Sequence, residues 1–217
     1  MPSLPTGARH SLCTVFAEEV AVTAISNATE AVCTAPGHGL VAGDIVLIES
    51  GWSRLNNRSF RVKSVDADTF TLEGKKANTS NTEFYIPGGG AGSVKKAITW
   101  VDIDQVISTS TSGGEAKKVT YRYENDENEY EINDGWTPVS RTMEIDSDAI
   151  DTPGYNALLD LTEVQTTTIM RTINRNGSIT LLPCTVALNE EEIRQEGQIN
   201  RVRVDVSGKA RSIRYKS

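Results

Sequence analysis

The stretch SFRVKSVDADTFTLE, Ser59–Glu73, reads as two short strands around a tight connection. Phe60, Val62 and Ser64 alternate with Arg61, Lys63 and Val65, the period-two pattern of a strand with one buried face. Asp66-Ala67-Asp68 supplies a short polar turn, after which Phe70 and Leu72 resume the alternation. Upstream lie three further β-rich pieces, AVTAI (Ala21–Ile25), AVCT (Ala31–Thr34) and DIVLIE (Asp44–Glu49). Ser26-Asn27 and the loop APGHGL separate them. Five short strands within roughly fifty residues predict a small barrel or sandwich.

Downstream, ANTSNTEFYIPGGGAG (Ala77–Gly92) is rich in turn residues, and its GGGAG reads as a linker that marks a module boundary. A second β-rich region follows, with AITWVDIDQVI (Ala97–Ile107), KKVTYRY (Lys117–Tyr123) and EYEI (Glu129–Ile132). Between its first two strands, STSTSGG (Ser108–Gly114) has the composition of a mobile linker or a long hairpin tip. One helix is predicted over Asp151–Leu161. Asp151 or Thr152 would cap it, Pro153 suits its first turn, and Tyr155, Leu158, Leu159 and Leu161 form an apolar face.

Next comes TTTIMRTI (Thr166–Ile173), then the hairpin dipeptide Asn176-Gly177 and the return strand SITLLPCTVAL (Ser178–Leu188). Pro183 in that strand suggests a bulge or an edge. Asn189 is expected to cap a short helical turn, EEEIRQE, ending at Gly197. In INRVRVDV (Ile199–Val206), Val202, Val204 and Val206 face one way, and Arg201, Arg203 and Asp205 the other. The chain is therefore expected to be mainly β with one helix.

Over 217 residues, 22 basic and 29 acidic side chains leave a net charge of −7. That balance argues against sequence-independent nucleic-acid binding, which needs a basic surface. No apolar run approaches the roughly 18 residues of a membrane span. The first residues lack the charged-then-apolar order of a signal peptide, so Sec export is not expected. Cys13, Cys33 and Cys184 read as reduced thiols of a cytoplasmic compartment that behave as small core hydrophobes.

Catalytic signals are weak. His10-x-x-Cys13 and Cys33-x4-His38 offer four zinc-type ligands, but neither pair has the tight spacing of a knuckle, and His38 lies in a glycine-flanked turn. No G-x-S-x-G elbow occurs, and Gly88–Gly92 matches neither a phosphate loop nor a dinucleotide fingerprint. No catalytic, metal or cofactor site is expected.

Charge is instead sorted into blocks. Glu124–Asp151 holds ten acids against one base, Arg141. Asn200–Ser217 holds Arg201, Arg203, Lys209, Arg211, Arg214 and Lys216 against Asp205 alone. Opposed blocks suit self-association, and a head-to-tail contact of that kind closes into rings or propagates as a tube.

HGLVAGDIVLIESGW (His38–Trp52) followed by LNNRSFRVKSVDADTFTLEG (Leu55–Gly74) resembles a small β module found in many phage tail proteins. That module is likened in fold to the first catalytic-cysteine half-domain of ubiquitin-activating enzymes. Four other stretches, MPSLPTGARHSL, PGYNALLDLTEVQTTT (Pro153–Thr168), LLPCTVALNE (Leu181–Glu190) and GQINRVRVDVSG (Gly197–Gly208), are similar to phage tail tube proteins.

The resemblance implies a tail-tube β-sandwich with a flanking helix, formed by residues 1–20 and 93–217. Residues 21–92 would be an inserted small β-barrel module on the tube exterior. It further implies hexameric rings stacked into a virion tail tube, assembled in the host cytoplasm. Edge-to-edge sheets would line a lumen through which DNA passes without specific binding, and Ser108–Gly114 with its flanks would reach between rings. Tape measure, tail terminator and tail tip proteins are the implied partners. Asp102, Asp104, Glu124, Asp126, Glu127, Glu129 and Glu131 are candidate lumen or ring-interface acids. Arg201, Arg203, Arg211 and Arg214 are a candidate basic self-association surface. The other expectation is an accessory tail protein whose module binds a host surface or another tail component, with Trp52 and Arg54 as exposed hot spots.

Overall fold

The computed structural model describes Thr6–Lys216; residues 1–5 and 217, which include the start of MPSLPTGARHSL, lie outside it. Its strands are β1 (Arg9–Phe16), β2 (Val20–Val22), β3 (Ala24–Ile25), β4 (Val32–Thr34), β5 (Ile45–Ser50), β6 (Arg58–Val65), β7 (Thr69–Leu72) and β8 (Gly92–Ile103). They continue with β9 (Val106–Ser112), β10 (Ala116–Tyr121), β11 (Tyr130–Trp136), β12 (Ser140–Asp146), β13 (Thr168–Ile173), β14 (Ile179–Ile193), β15 (Arg201–Gly208) and β16 (Ile213–Tyr215). The α-helix is α1, Pro153–Val164. The fold is mainly β, as its alternating patterns require.

Fourteen strands join one curled sheet in the order β3-β4-β7-β6-β5-β8-β1-β13-β14-β15-β12-β9, with β2 added on β8 and β16 on β14. The first six strands of that order close on themselves. β5 lies on one side of Gly92–Lys96 and β2 on the other, and only Thr23 separates β2 from β3. The result is a small barrel around Phe60, Val62, Phe70 and Leu72, all buried. The alternation in Ser59–Val65 holds as far as Val62. A bulge between Val62 and Ser64 then leaves Ser64 exposed and Val65 half-buried against Phe70.

Strand β8 runs from the barrel into the main sheet without interruption, pairing β5 over its first half and β1 over its second. GGGAG is accordingly no free linker. A Cβ on Gly92 would collide with the Glu49 carbonyl of the adjacent strand, so glycine there permits a close strand approach. Ser108–Ser112 is likewise a strand, because β9 pairs along β12 from Ser108↔Glu144 to Ser112↔Ser140.

The middle of β1, strand β13 and the Leu181–Cys184 part of β14 are packed on both faces. Leu12, Met170 and Leu182 face a core shared with α1, while Cys13, Ile169 and Leu181 face the barrel side. The helix is capped by Thr152, whose Oγ1 accepts from the Tyr155 N–H at 3.3 Å, and Pro153 opens its first turn. It extends three residues beyond the expected Leu161 and ends at left-handed Gln165. Gly154 allows it to sit on β8, where a Cβ would lie 2.5 Å from the Asp102 carbonyl oxygen.

Two elements differ from expectation in β14. Glu190–Ile193 extends the strand rather than forming a helical turn. Asn189 Oδ1 does accept from the Glu191 N–H at 3.1 Å, as a cap would, but within a bulge between Asn189 and Ile193. Pro183 sits in the strand interior. Its carbonyl accepts from Lys209 N–H at 2.8 Å, so its N–H-less side faces the gap between β15 and β16, where no ladder bond is lost.

Candidate assembly surfaces

Val202, Val204 and Val206 point into the helix-side core, and the opposite face of β9, β12, β15 and the end of β14 is polar. Register stacks this face in rows: Ser108, Glu144, Arg203 and Asn189; Ser110, Thr142, Asp205 and Ala187; Ser112, Ser140, Ser207 and Thr185. Its polar groups pair among themselves. Ser108 Oγ donates to Glu144 Oε2 at 3.0 Å, Thr142 Oγ1 to Asp205 Oδ1 at 3.1 Å, and Ser112 and Ser140 share a hydrogen bond at 2.7 Å. Arg201 bridges to Glu144 and Arg203 to Asp205, each at 2.9 Å. This hydroxyl-rich face was missed as a site in the sequence, although the Ser-x-Ser-x-Ser run of Ser108–Ser112 is its period-two signature.

Both borders of this four-stranded segment lack a backbone partner among the described residues. Asp146 N–H donates to Gln105 O at 3.1 Å and Gly208 N–H to Val139 O at 2.8 Å, which fixes the direction of alternate peptides. Ser108, Ser110 and Ser112 thus bond β12, and the peptides of Thr109 and Thr111 face outward. On the other border, β13 pairs only with Ile179–Cys184, so β14 is unpaired on that side from Thr185 onward. The end of α1 covers the first part, with Gln165 Nε2 donating to Val186 O at 3.4 Å and Leu188 N–H to Thr162 Oγ1 at 2.8 Å. Beyond Leu188 the border is open.

The β10–β11 hairpin stands apart as a two-stranded sheet. Val119, Tyr121, Tyr123, Tyr130, Ile132 and Trp136 are exposed on it, with Tyr121 stacked on Tyr130 at 5.6 Å. A lone two-stranded hairpin is marginal in water, so these apolar groups need a further surface. Glu124, Asp126, Glu127 and Glu129 lie at its tip, and Glu131 follows on β11. The Tyr130 hydroxyl donates to Asp126 at 2.6 Å and, with the Asn128 N–H, holds that carboxyl below the usual range. Glu131 pairs with Lys118 at 2.5 Å. Asp102 is exposed on β8 opposite Ser11, and Asp104 lies in the turn to β9, so neither joins the tip acids.

The basic candidates are dispersed. Arg201 and Arg203 belong to the polar face, Arg211 covers the Trp136 ring at 3.8 Å, and Arg214 donates to Ser178 Oγ at 3.4 Å on β16.

A third feature is a cleft of about 620 Å3 between the start of β1 and β9, lined by His10, Thr109, Thr111, Arg141, Thr172 and Asn174 among others. His10 Nδ1 is 3.1 Å from Thr172 Oγ1, and Arg141 Nη1 donates to the same hydroxyl at 2.8 Å. Burial, followed by the nearby Arg141 charge, lowers the His10 pKa to about 4.

Among the described residues no group of three or more His, Cys, Asp or Glu is placed to hold a metal. His10 and Cys13, three apart on a strand, point to opposite faces, while Cys33 and His38 are in the barrel. His38 ties two turns together, accepting from Leu40 N–H at 2.9 Å through Nδ1 and bonding Asp66 O at 3.1 Å through Nε2. Burial raises the Cys13 thiol to about 11 and those of Cys33 and Cys184 to about 12. Trp52 is a buried barrel residue, donating Nε1–H to Ile86 O at 2.8 Å, and therefore not an exposed hot spot. Arg54 is exposed, over the Phe84 ring at 3.4 Å. No helix among the described residues is long and apolar enough to cross a membrane.

Among the described residues, two open sheet borders and a hairpin that belongs to neither core are the surfaces that set this mainly β chain apart. The family model described as "Phage tail tube protein, TTP" matches residues 50–217, and the chain belongs to that family. It is a structural component of the phage tail. One solved structure similar in part is the cryo-EM structure of the anti-feeding prophage baseplate, 6-fold symmetrised. It is 8% identical with a TM-score of 0.39, over 55% of this chain and 85% of that one. No curated protein matches the chain.

Proposed function

We propose that copies of this chain close into hexameric rings that stack as the tail tube, a conduit for DNA ejected into the host. The observation that carries the reading is the four-stranded segment β14-β15-β12-β9, which has two open borders and one polar face. Joining β9 of one copy to the end of β14 in the next satisfies both edges, which otherwise invite uncontrolled pairing. Six such segments give a 24-stranded barrel with the serine-rich face toward the lumen. Its ionised groups are paired within the face, so phosphate finds hydroxyls and few free cations, and DNA slides. The role is structural rather than catalytic.

The β10–β11 hairpin then reaches the adjacent ring, and Glu124–Glu131 act as ring-interface acids in preference to lumen acids. Residues 21–92, with the likeness to the ubiquitin-activating-enzyme half-domain, form the exterior module. The tape measure in the lumen and the terminator and tip proteins at the ends are its tail partners. Negative-stain images of purified protein test the reading. Wild type should give rings or tubes. Thr109→Pro, which removes an outward N–H and leaves the β12 ladder intact, should give folded subunits without rings. Rings from Thr109→Pro at wild-type yield would reject β9 as the joining edge.

A second reading, an accessory role in which the module binds a host surface or another tail component, is favoured by exposed Phe84 under Arg54 and by exposed Ile86 two residues on. Arg54→Ala with Phe84→Ala should then leave tubes intact and lower infectivity; unchanged infectivity would discard it.

A further inference from the structure

The cleft between β1 and β9 has one charged group in its lining, Arg141. Among the described residues no carboxylate lies within ion-pair distance of it, and its Nε is shielded from solvent without a partner. His10 beside it is held neutral and supplies no countercharge. Arg141 is half-buried, with Thr172 Oγ1 as its hydrogen-bond partner and no counter-ion, and a partly desolvated cation of that kind favours a carboxylate brought to it.

The lip of the cleft is β9. Thr109 and Thr111 oppose Met143 and Arg141, so they share the helix-side face with the cleft. A strand joined to β9 would therefore lie across its mouth. The segment's other open border carries acids on the same face. The Tyr155 hydroxyl of α1 donates to Glu190 Oε1 at 3.5 Å; burial first, and then the Glu190 and Glu192 charges, raise the Tyr155 pKa, while Glu192 also pairs with Arg194 at 2.6 Å. Two strand spacings, about 10 Å, would separate Arg141 from a glutamate on the joined strand. Extended arginine and glutamate side chains close that gap.

We infer that Arg141 is the receptor for a carboxylate of a second copy of this chain, supplied by Glu190 or the adjacent Glu192 as the end of β14 docks on β9. The inference rests on the ring reading above and adds the residue that sets register at each joint. A buried charge-assisted pair admits the neighbour in one alignment, whereas backbone edges alone tolerate slippage.

Ring assembly of the full chain should be measured against protein concentration by sedimentation and negative stain. Arg141→Gln and the double variant Glu190→Gln, Glu192→Gln should stay folded by circular dichroism and need at least about tenfold more protein to assemble. In rings of Arg141→Lys, a zero-length carbodiimide cross-link should join the introduced amine to Glu190 or Glu192 of another copy. If wild type forms no rings, the ring reading falls and the inference with it. If wild type forms rings and Arg141→Gln assembles at the same concentration, the inference alone is overturned. A cross-link to any other acid would also overturn it. So would stabilisation of the subunit by inorganic phosphate that Arg141→Gln abolishes while assembly is unchanged, since the cleft would then serve a free anion.

Discussion

The Tyr215 hydroxyl accepts a hydrogen bond from the Arg61 backbone N–H at 2.9 Å, across a sequence separation of 154 residues. The Arg61 guanidinium lies over the Tyr215 ring at 4.7 Å and pairs with Glu73. Through this contact the last strand, which rests on β14, fastens the small barrel to the main sheet. Tyr215 is buried, so its hydroxyl cannot be replaced by water without rearrangement.

Tyr215→Phe should lower stability by about 1–3 kcal/mol, because it leaves a buried N–H unpaired. Denaturant unfolding measures this, and Tyr215→Ala should cost more through the lost ring. An unchanged midpoint in Tyr215→Phe would mean that the contact is not a fastening.

Gly154→Ala puts a methyl group against the Asp102 carbonyl, so α1 must lift from β8. The expected loss is about 1–3 kcal/mol even though alanine is the better helix former. A thermal melt that shows stabilisation would reject the close approach.

His10 gives the fold an acid limit. An unfolded histidine takes up its proton near pH 6.5, whereas the folded protein resists protonation until about pH 4. The unfolded state binds more protons in that window. This contribution is therefore complete above about pH 6.5 and falls away as pH drops toward 4, by at most on the order of 3 kcal/mol. His10→Gln should flatten the stability profile between those limits relative to wild type.

The three cysteines are buried and their thiols are pushed up to about 11 or 12. Native protein at pH 8 should be nearly inert to a thiol reagent, and all three should react after denaturation. Fast labelling of the native chain would contradict that burial.

Replacing residues 118–133 by an Asn-Gly turn should leave the unfolding free energy within about 0.5 kcal/mol of wild type, since those residues are exposed apart from half-buried Asp126 and belong to neither core. Rings should still form and fail to stack. Tubes of normal length would remove the hairpin from the stacking contact.

Much of the fold was legible because burial imposes periodicity. Phe60, Val62, Phe70 and Leu72, the Val202–Val206 alternation, the Thr152-Pro153 helix start and the Asn176-Gly177 turn all carried their structure locally. The failures are places where tertiary pairing overrides composition. Ser108–Ser112 looks like a linker because serine is common in linkers, yet β12 pairs it as a strand. Glu190–Ile193 has helical composition, yet β15 draws it into a ladder. Gly92 looks flexible until the Glu49 carbonyl arrives from a distant strand. Glu124, Asp126, Glu127, Glu129 and Glu131 were identifiable as a charged cluster, but their position on a projecting hairpin, away from Asp102 and Asp104, was not. The Arg141 cleft left no local trace, because β1, β9, β12 and β13 assemble it from four separate stretches.

Strand β8 has a mechanical consequence. A domain tethered by a loose linker swings freely, and a pull on it is spent in straightening the tether. Here the barrel is mounted like a spoke, with one unbroken strand running into the main sheet. Tension on the barrel loads the antiparallel β8–β1 ladder in shear, so many hydrogen bonds resist together. Whatever grips the barrel therefore pulls directly on the main sheet.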